Sequence, residues 1–118
     1  MNKINLLQKF SLFSEHWTPK IIAELNDSHI KLARFKGDFV WHQHDVDELF
    51  LLVSGKLEIR FRDQTILMQE GEIVVVPKHV EHMPVADEEA LVLLIEPKGT
   101  LNTGNVQDEK TVPQPEWI

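Results

Sequence analysis

Apolar residues near the start of the chain, Ile4, Leu7, Phe10 and Phe13, recur about every third position, which predicts a short amphipathic segment of about three turns or, as the alternative, an irregular arm. After it the period changes to two. Lys56-Leu57-Glu58-Ile59-Arg60-Phe61-Arg62 places Leu57, Ile59 and Phe61 on one face and the charged residues on the other, the pattern of a half-buried strand. Ser54-Gly55 joins it to Glu48–Val53 as a hairpin, and Asp63-Gln64 turns the chain into Thr65–Met68. Further strands are predicted at Lys20–Leu25, His29–Phe35, Phe39–His44, Ile73–Val76, His82–Ala86 and Leu91–Glu96. Turns fall at Gly37, Glu70-Gly71 and Asp87-Glu88-Glu89. About nine short strands at this spacing predict an all-β sandwich or barrel.

Leu49–Val53, Ile73–Val76 and Leu91–Ile95 are apolar on both faces. One face fills the barrel and the other needs cover as well. A chain this small has little to spare for that, so a partner subunit is expected, most simply in a twofold homodimer. Beyond Pro97 the composition turns polar, ending Val112-Pro113-Gln114-Pro115-Glu116-Trp117-Ile118, with no period of its own. The expected organisation is an N-terminal arm or short helix over residues 1–15, a barrel over 16–97 and a C-terminal tail over 98–118. The closing Trp-Ile pair either docks on an apolar groove or ends the chain in disorder.

The chain has 118 residues, enough for one domain and one sizeable core. Acidic residues outnumber basic ones 19 to 12, for a net charge of −7, a field that repels nucleic-acid backbones and anionic lipid surfaces. Neither is an expected partner. Cysteine is absent, which removes disulfides, thiolate sites, Fe–S clusters and nucleophilic thiols together, so that any metal must be held by His and carboxylate. The N-terminal residues lack the apolar run of a secretory signal, and a soluble, cytoplasmic protein is expected.

His42 and His44 are separated by one residue, which in a strand points both imidazoles to the same side of the sheet. If the strand ends at His44 and a short turn follows, Glu48 opens the next strand with its carboxylate near the two rings, and the chain returns after Pro77 with His82. Three imidazoles and a carboxylate suit a borderline divalent metal. These residues resemble the cupin family. Its first motif, G-x5-HxH-x3,4-E-x6-G, is met by Gly37, His42, His44, Glu48 and Gly55 with the first gap one residue short. Its second, G-x5-P-x-G-x2-H-x3-N, is met by Gly71, Pro77 and His82, with His79 in the place of a Gly and Ala86 in that of the Asn. The resemblance spans roughly positions 30 to 96. It implies a double-stranded β-helix, or jelly-roll, barrel with His42, His44, Glu48 and His82 as ligands of one divalent transition metal such as Fe, Mn, Zn or Ni. The departure at His79 bears on the loop, because the motif's Gly often serves a turn that His79 must make with a Cβ.

Four protein ligands leave two adjacent positions on a metal that prefers six, an open site. Two functions are expected: a metal-dependent enzyme of oxygenase or isomerase type acting on a small oxygen-bearing molecule, or a non-catalytic module that binds a sugar or organic acid. His79 either lines the mouth as an acid or base or faces solvent. His16 and His29 are expected to be surface histidines, and Asp45, Asp47 and Glu81 to be solvated loop residues or acceptors for a ligand imidazole N–H. Phe35, Phe39, Trp41, Phe50 and Met83 are expected in the core, with Val40 and Phe50 lining the cavity.

Overall fold

The computed structural model describes all residues, 1–118. Asn5 caps helix α1 (Leu6–Phe10), its side chain accepting from the Gln8 amide at 2.9 Å. The helix is shorter than the apolar spacing predicts because the segment is shaped by what it covers. Phe10 and Phe13 pack on Ile22, Leu32 and Leu93 of the sheet, while Leu7 and Leu12 stay exposed. A longer regular helix has no apolar stripe to gain.

Eight strands follow: β1 (Lys20–Leu25), β2 (Ser28–Asp38), β3 (Glu48–Ser54), β4 (Leu57–Phe61), β5 (Thr65–Met68), β6 (Ile73–Val76), β7 (His82–Pro97) and β8 (Glu116–Trp117). Expected strands recur at close to their expected bounds, with three corrections. Gly37, expected in a turn after Phe35, lies inside β2, where a register shift between Phe35 and Gly37 absorbs its positive φ and the strand runs on to Asp38. The runs His82–Ala86 and Leu91–Glu96 form one long strand, β7, because the acidic residues between them lie exposed along a bend rather than in a separate turn. Residues 39–47 are irregular, not the expected strand Phe39–His44; they hold only an isolated bridge between His42 and His82. The cause is local. The Phe39 amide bonds to the Pro84 carbonyl at 3.0 Å, but Pro84 has no N–H to return the bond, so the ladder cannot run on regularly.

β7 organises the barrel. Its first part pairs with β4 and the end of β2, and its second part with β3 and the body of β2, all antiparallel. Two sheets thus share one bent strand, β5-β4-β7 on one side and β6-β3-β7-β2-β1 on the other, a jelly-roll barrel. Gly55 makes the turn from β3 into β4 at φ +96, where a Cβ would stand 2.9 Å from the Glu89 carbonyl oxygen. Inward side chains fill the barrel: Phe50 and Leu52 from β3, Leu57 and Ile59 from β4, Val92 and Leu94 from β7, and the stacked rings of Trp17, Phe35 and Phe39.

The tail docks through its backbone. β8 runs parallel to β1, with Lys20 opposite Glu116 and Ile21 opposite Trp117, and the Ile118 amide bonds to the Ile21 carbonyl at 3.0 Å. Between Pro97 and β8 the chain is knotted by side chains, Thr103 bonding Thr111 at 2.7 Å and Asn102 accepting from the Val112 amide at 2.8 Å. No helix is long and apolar enough to cross a membrane.

Candidate metal centre

Glu48 is the first residue of β3 and His82 the first of β7, so both enter the barrel at the same end and point inward. His42 and His44 come from the irregular segment, yet the bridge to β7 aligns them: His42 and His82 exchange both backbone hydrogen bonds, at 3.0 and 2.9 Å. The two bridged histidines are held alike. Nδ1 of His42 lies 2.8 Å from the Val40 carbonyl and Nδ1 of His82 lies 2.9 Å from the Val80 carbonyl, contacts in which the ring N–H donates. That tautomer leaves each Nε2 with its lone pair free.

One potential ligand atom from each of His42, His44, Glu48 and His82 lies within 4.8 Å of the others, and all four residues are buried. Nε2 of His44 and Nε2 of His82 each stand 3.4 Å from Glu48 Oε1, and none of these three buried atoms has a hydrogen-bond partner. Orphaned polar atoms at such depth cost roughly 1–3 kcal/mol each. Buried ring nitrogens and a carboxylate oxygen that converge without satisfied hydrogen bonds are what a divalent cation would complete, so the donor set fits a metal and the cluster could hold one. Burial, with the neighbouring His82 charge next, pushes the His42 imidazole down to about 4, which keeps it neutral and able to ligate. For Glu48 burial works upward, but the side chains of His44, His82 and Glu96 outweigh it and hold the carboxyl well below its usual range.

A second carboxylate shares this end of the barrel. Because Leu49 faces Ile95 in the β3–β7 ladder, Glu48 and Glu96 fall opposite each other on the inner face. Lys31, on the neighbouring strand, reaches Glu96 Oε1 at 2.7 Å and the Thr100 carbonyl at 3.3 Å. Both are buried, at 1% and 2% exposure. Glu96 Oε2 is also buried and without a partner. Burial first, and the Glu48 charge second, raise the Glu96 carboxyl well above its usual range, against the pull of Lys31. A small space of about 30 Å³ opens beside the cluster, lined by His42, Glu48, Glu96, Phe50, the Trp17–Phe35–Phe39 stack and Asn102. Period two along β2 and β7 carries the signal for this pair: Lys31 shares a face with Ala33 and Phe35, and Glu96 with Val92 and Leu94. Reading Leu91–Ile95 as apolar on both faces hid it.

Of the other candidates, Phe35, Phe39 and Phe50 are core residues as expected. Phe50 lines the cavity, while Val40 packs against the core beside it. Trp41 is not in the core: it is half-buried at the surface, its ring 3.8 Å from the Arg62 guanidinium. Met83 is likewise half-buried, on the outward side of a strand whose His82 and Pro84 point in. Glu81 pairs with Arg62 at 2.7 Å, Asp47 accepts from the Lys78 amide at 2.9 Å and Asp45 is exposed, while the rings of His42 and His82 use backbone carbonyls instead. His16 is exposed and 2.8 Å from Glu89; His29 is partly buried edge-on to Trp117. His79 is exposed at φ +67, the left-handed turn that the motif's Gly would make freely, and its amide donates to the His44 carbonyl at 2.7 Å.

Outside His44 lies an open polar recess of about 500 Å³, lined by His79, Asp45, Gln43 and, from the tail, Gly99, Thr100, Leu101, Gly104 and Asn105. The tail is clipped there to the residue between the two histidines: Asn105 N donates to Gln43 O at 3.1 Å, and Gln43 N donates to Asn105 Oδ1 at 2.9 Å. Gly104 permits the approach, since a Cβ there would collide with the Gln43 carbonyl.

Comparison with known proteins agrees with this geometry. The family model for the cupin domain matches residues 32–96. A crystal structure of a cupin-2 domain protein from Shewanella frigidimarina is 53% identical, covering 80% of this chain and 94% of that one at a TM-score of 0.80. Protein NMB1881 from Neisseria meningitidis is 33% identical over 82% of this chain and 100% of its own, at 0.76. The uncharacterized protein YdbB of Bacillus subtilis is 40% identical over 63 residues, 52% of this chain and 56% of that protein, so the match spans little more than half of that relative. With the model covering more than half of the chain and its motif residues gathered at one end of a jelly-roll barrel, the chain belongs to the cupin family.

Proposed function

We propose that His42, His44, Glu48 and His82 hold one divalent transition metal and that the protein is a metal-dependent enzyme, of oxygenase or isomerase type, acting on a small oxygen-bearing molecule. The observation that carries this is the convergence of His44 Nε2, His82 Nε2 and Glu48 Oε1, buried and unpartnered, around one point. A divalent metal there would polarise a substrate oxygen or, if redox-active, serve oxygen chemistry. The chain's own residues would do the rest. Backbone carbonyls of Val40 and Val80 fix two rings in the ligating tautomer. Trp17, Phe35, Phe39 and Phe50 wall the adjoining space with apolar surface and exclude water. His79, exposed on the recess outside His44, is the candidate for proton transfer with bulk solvent.

Metal content of the purified protein, followed by turnover of iron- or manganese-loaded samples, tests this reading. Dioxygen uptake with a diketone, catechol, flavonol or thiol acid, or exchange of a substrate α-proton with solvent, is the expected outcome. Tight binding of a sugar or small acid with neither reaction would establish the non-catalytic module instead.

We also propose a twofold dimer. On the outer face of the second sheet Ile30, Leu51, Val53, Leu91 and Ile95 are only partly covered, and Ile73 and Val75 beside them are exposed. Light scattering at micromolar concentration should give twice the monomer mass; a monomer would refute the dimer.

A further inference from the structure

The three histidines of the cluster are not held alike. The rings of His42 and His82 are each fixed by a backbone carbonyl two residues back, Val40 at 2.8 Å and Val80 at 2.9 Å. His44 has no clamp of that kind, because the carbonyl two residues back is that of His42, and it is already turned to the His82 amide at 2.9 Å. What lies behind Nδ1 of His44 is the tail. A Cβ on Gly104 would collide with the Gln43 carbonyl and stand 3.2 Å from that nitrogen, so glycine is what lets the tail backbone close on the ring. The seat is built for this approach. Asn105 exchanges two hydrogen bonds with Gln43, the residue between the two histidines: its amide donates to the carbonyl at 3.1 Å, and its Oδ1 accepts from the amide at 2.9 Å. Thr103, fully buried, ties the same turn to Thr111 at 2.7 Å and to the Val106 carbonyl at 2.9 Å. Docking of the tail as such does not need the contact at Gln43, since β8 already fastens the far end to β1.

We propose that Gly104 and Asn105 are positioning residues of the metal centre, the Asn105–Gln43 clip seating the tail backbone against the His44 ring and so aiming its Nε2 at the cluster. The proposal rests on the metal-centre reading and adds to it a part of the site that lies outside the barrel strands. Two torsions turn a histidine ring, and a ligand nitrogen binds only along its lone pair, so a ring free to swing must be ordered when a metal arrives. Carbonyl bonds remove that cost for His42 and His82. Packing removes it for His44: Gly104 stands behind Nδ1, and the His79 amide holds the His44 carbonyl at 2.7 Å, fixing the backbone from which the ring hangs. The same segment walls another side of the site, where Asn102 lines the small space beside His42 and Glu48 with its own amide spent on Lys110 and Val112. Asn105 itself is exposed and offers no atom to the cluster, so it acts through Gln43 and His44 alone.

Cobalt(II), whose d–d absorption reports the ligands around it, is the probe. By calorimetry Asn105→Ala should bind it about tenfold more weakly than the wild type, with an altered d–d spectrum. Asn105→Asp keeps an Oδ1 for the Gln43 amide and should bring affinity back to within about twofold of the wild type, with the spectrum restored. Gly104→Ala drives the tail off Gln43 by a different atom and should reproduce the loss. Trp117→Ala loosens the tail at its far end, away from the cluster, and should leave affinity and spectrum unchanged. Wild-type binding in N105A or G104A overturns the proposal. So does a loss that N105D fails to recover, or an equal loss in W117A, which would make the effect one of general tail docking. If the wild-type protein takes up no cobalt, the metal-centre reading fails separately, and the metal-free protein decides on the clip alone. There the His42 and His44 rings, with centroids 4.8 Å apart, should give nuclear Overhauser contacts that weaken in N105A, and unchanged contacts would overturn the proposal.

Discussion

The two ends of the barrel interior are built to opposite rules. At one end Leu52, Leu57, Ile59, Met68 and Val92 form a buried apolar plug with no nitrogen or oxygen among their side chains. At the other, His42, His44, Glu48, His82, Lys31 and Glu96 crowd together, and four of their polar atoms lack a partner. Regular strands supply the first set. The second takes half of its histidine–carboxylate cluster from chain that is not regular strand. The contrast teaches a division of labour: cohesion is concentrated at the aliphatic end, whereas the polar end is a standing cost that a bound cation or ligand would relieve.

Substitutions at the two ends should therefore fail in opposite ways. Leu52→Ala, at a fully buried position, should lose about 2–5 kcal/mol of stability in thermal or denaturant unfolding, with the metal affinity of the folded fraction kept. His44→Ala should weaken metal binding about a hundredfold or more by calorimetry, while the unfolding midpoint of the metal-free protein stays the same or rises, because an orphaned nitrogen has gone. Unfolding of H44A with unchanged metal affinity would erase the distinction.

A smaller effect should appear with pH. The folded His42 imidazole is pushed down to about 4 from an ordinary value of 6.5. Its contribution is therefore whole above pH 6.5 and is lost as pH falls toward 4, since the unfolded chain takes up the proton first. Glu96, raised in the folded state, runs the other way, its contribution falling as pH rises above the ordinary carboxylate value. Comparing variants isolates the histidine. With chelator present, the wild type should lose on the order of 2 kcal/mol more than His42→Gln between pH 7 and 4.5. Parallel pH profiles would show that His42 is not held neutral by burial.

The strands and the quartet of three histidines and a glutamate were legible because both are written in side chains. Alternation at Leu57, Ile59 and Phe61 follows from the pleat, and the spacing of His42, His44, Glu48 and His82 follows from the need to converge. What escaped is carried by the backbone or by residues whose chemistry argues against their place. Pro84 breaks the ladder opposite the segment at 39–47 by lacking an N–H, so a period-two reading there described orientation but not structure. The tail attaches through main-chain bonds at Gln43 and Ile21, which leave no periodic trace. Trp41 looks like a core residue until Arg62 is seen stacked on it, an accommodation no spacing rule reports. Lys31 and Glu96 look like exposed charges and are among the most buried residues in the chain.

The bridge between His42 and His82 also sets an order in time. β7 is the strand that pairs with β2, β3 and β4 alike, so before it docks the two sheets have no common member. His42, His44 and Glu48 lie within a few residues of one another and leave the ribosome well before His82. Completion of the quartet must wait for a bridge that spans 40 residues of chain, from His42 to His82. Until β7 docks, the first two histidines have no bridge to align them, so the cluster and the barrel close in the same step.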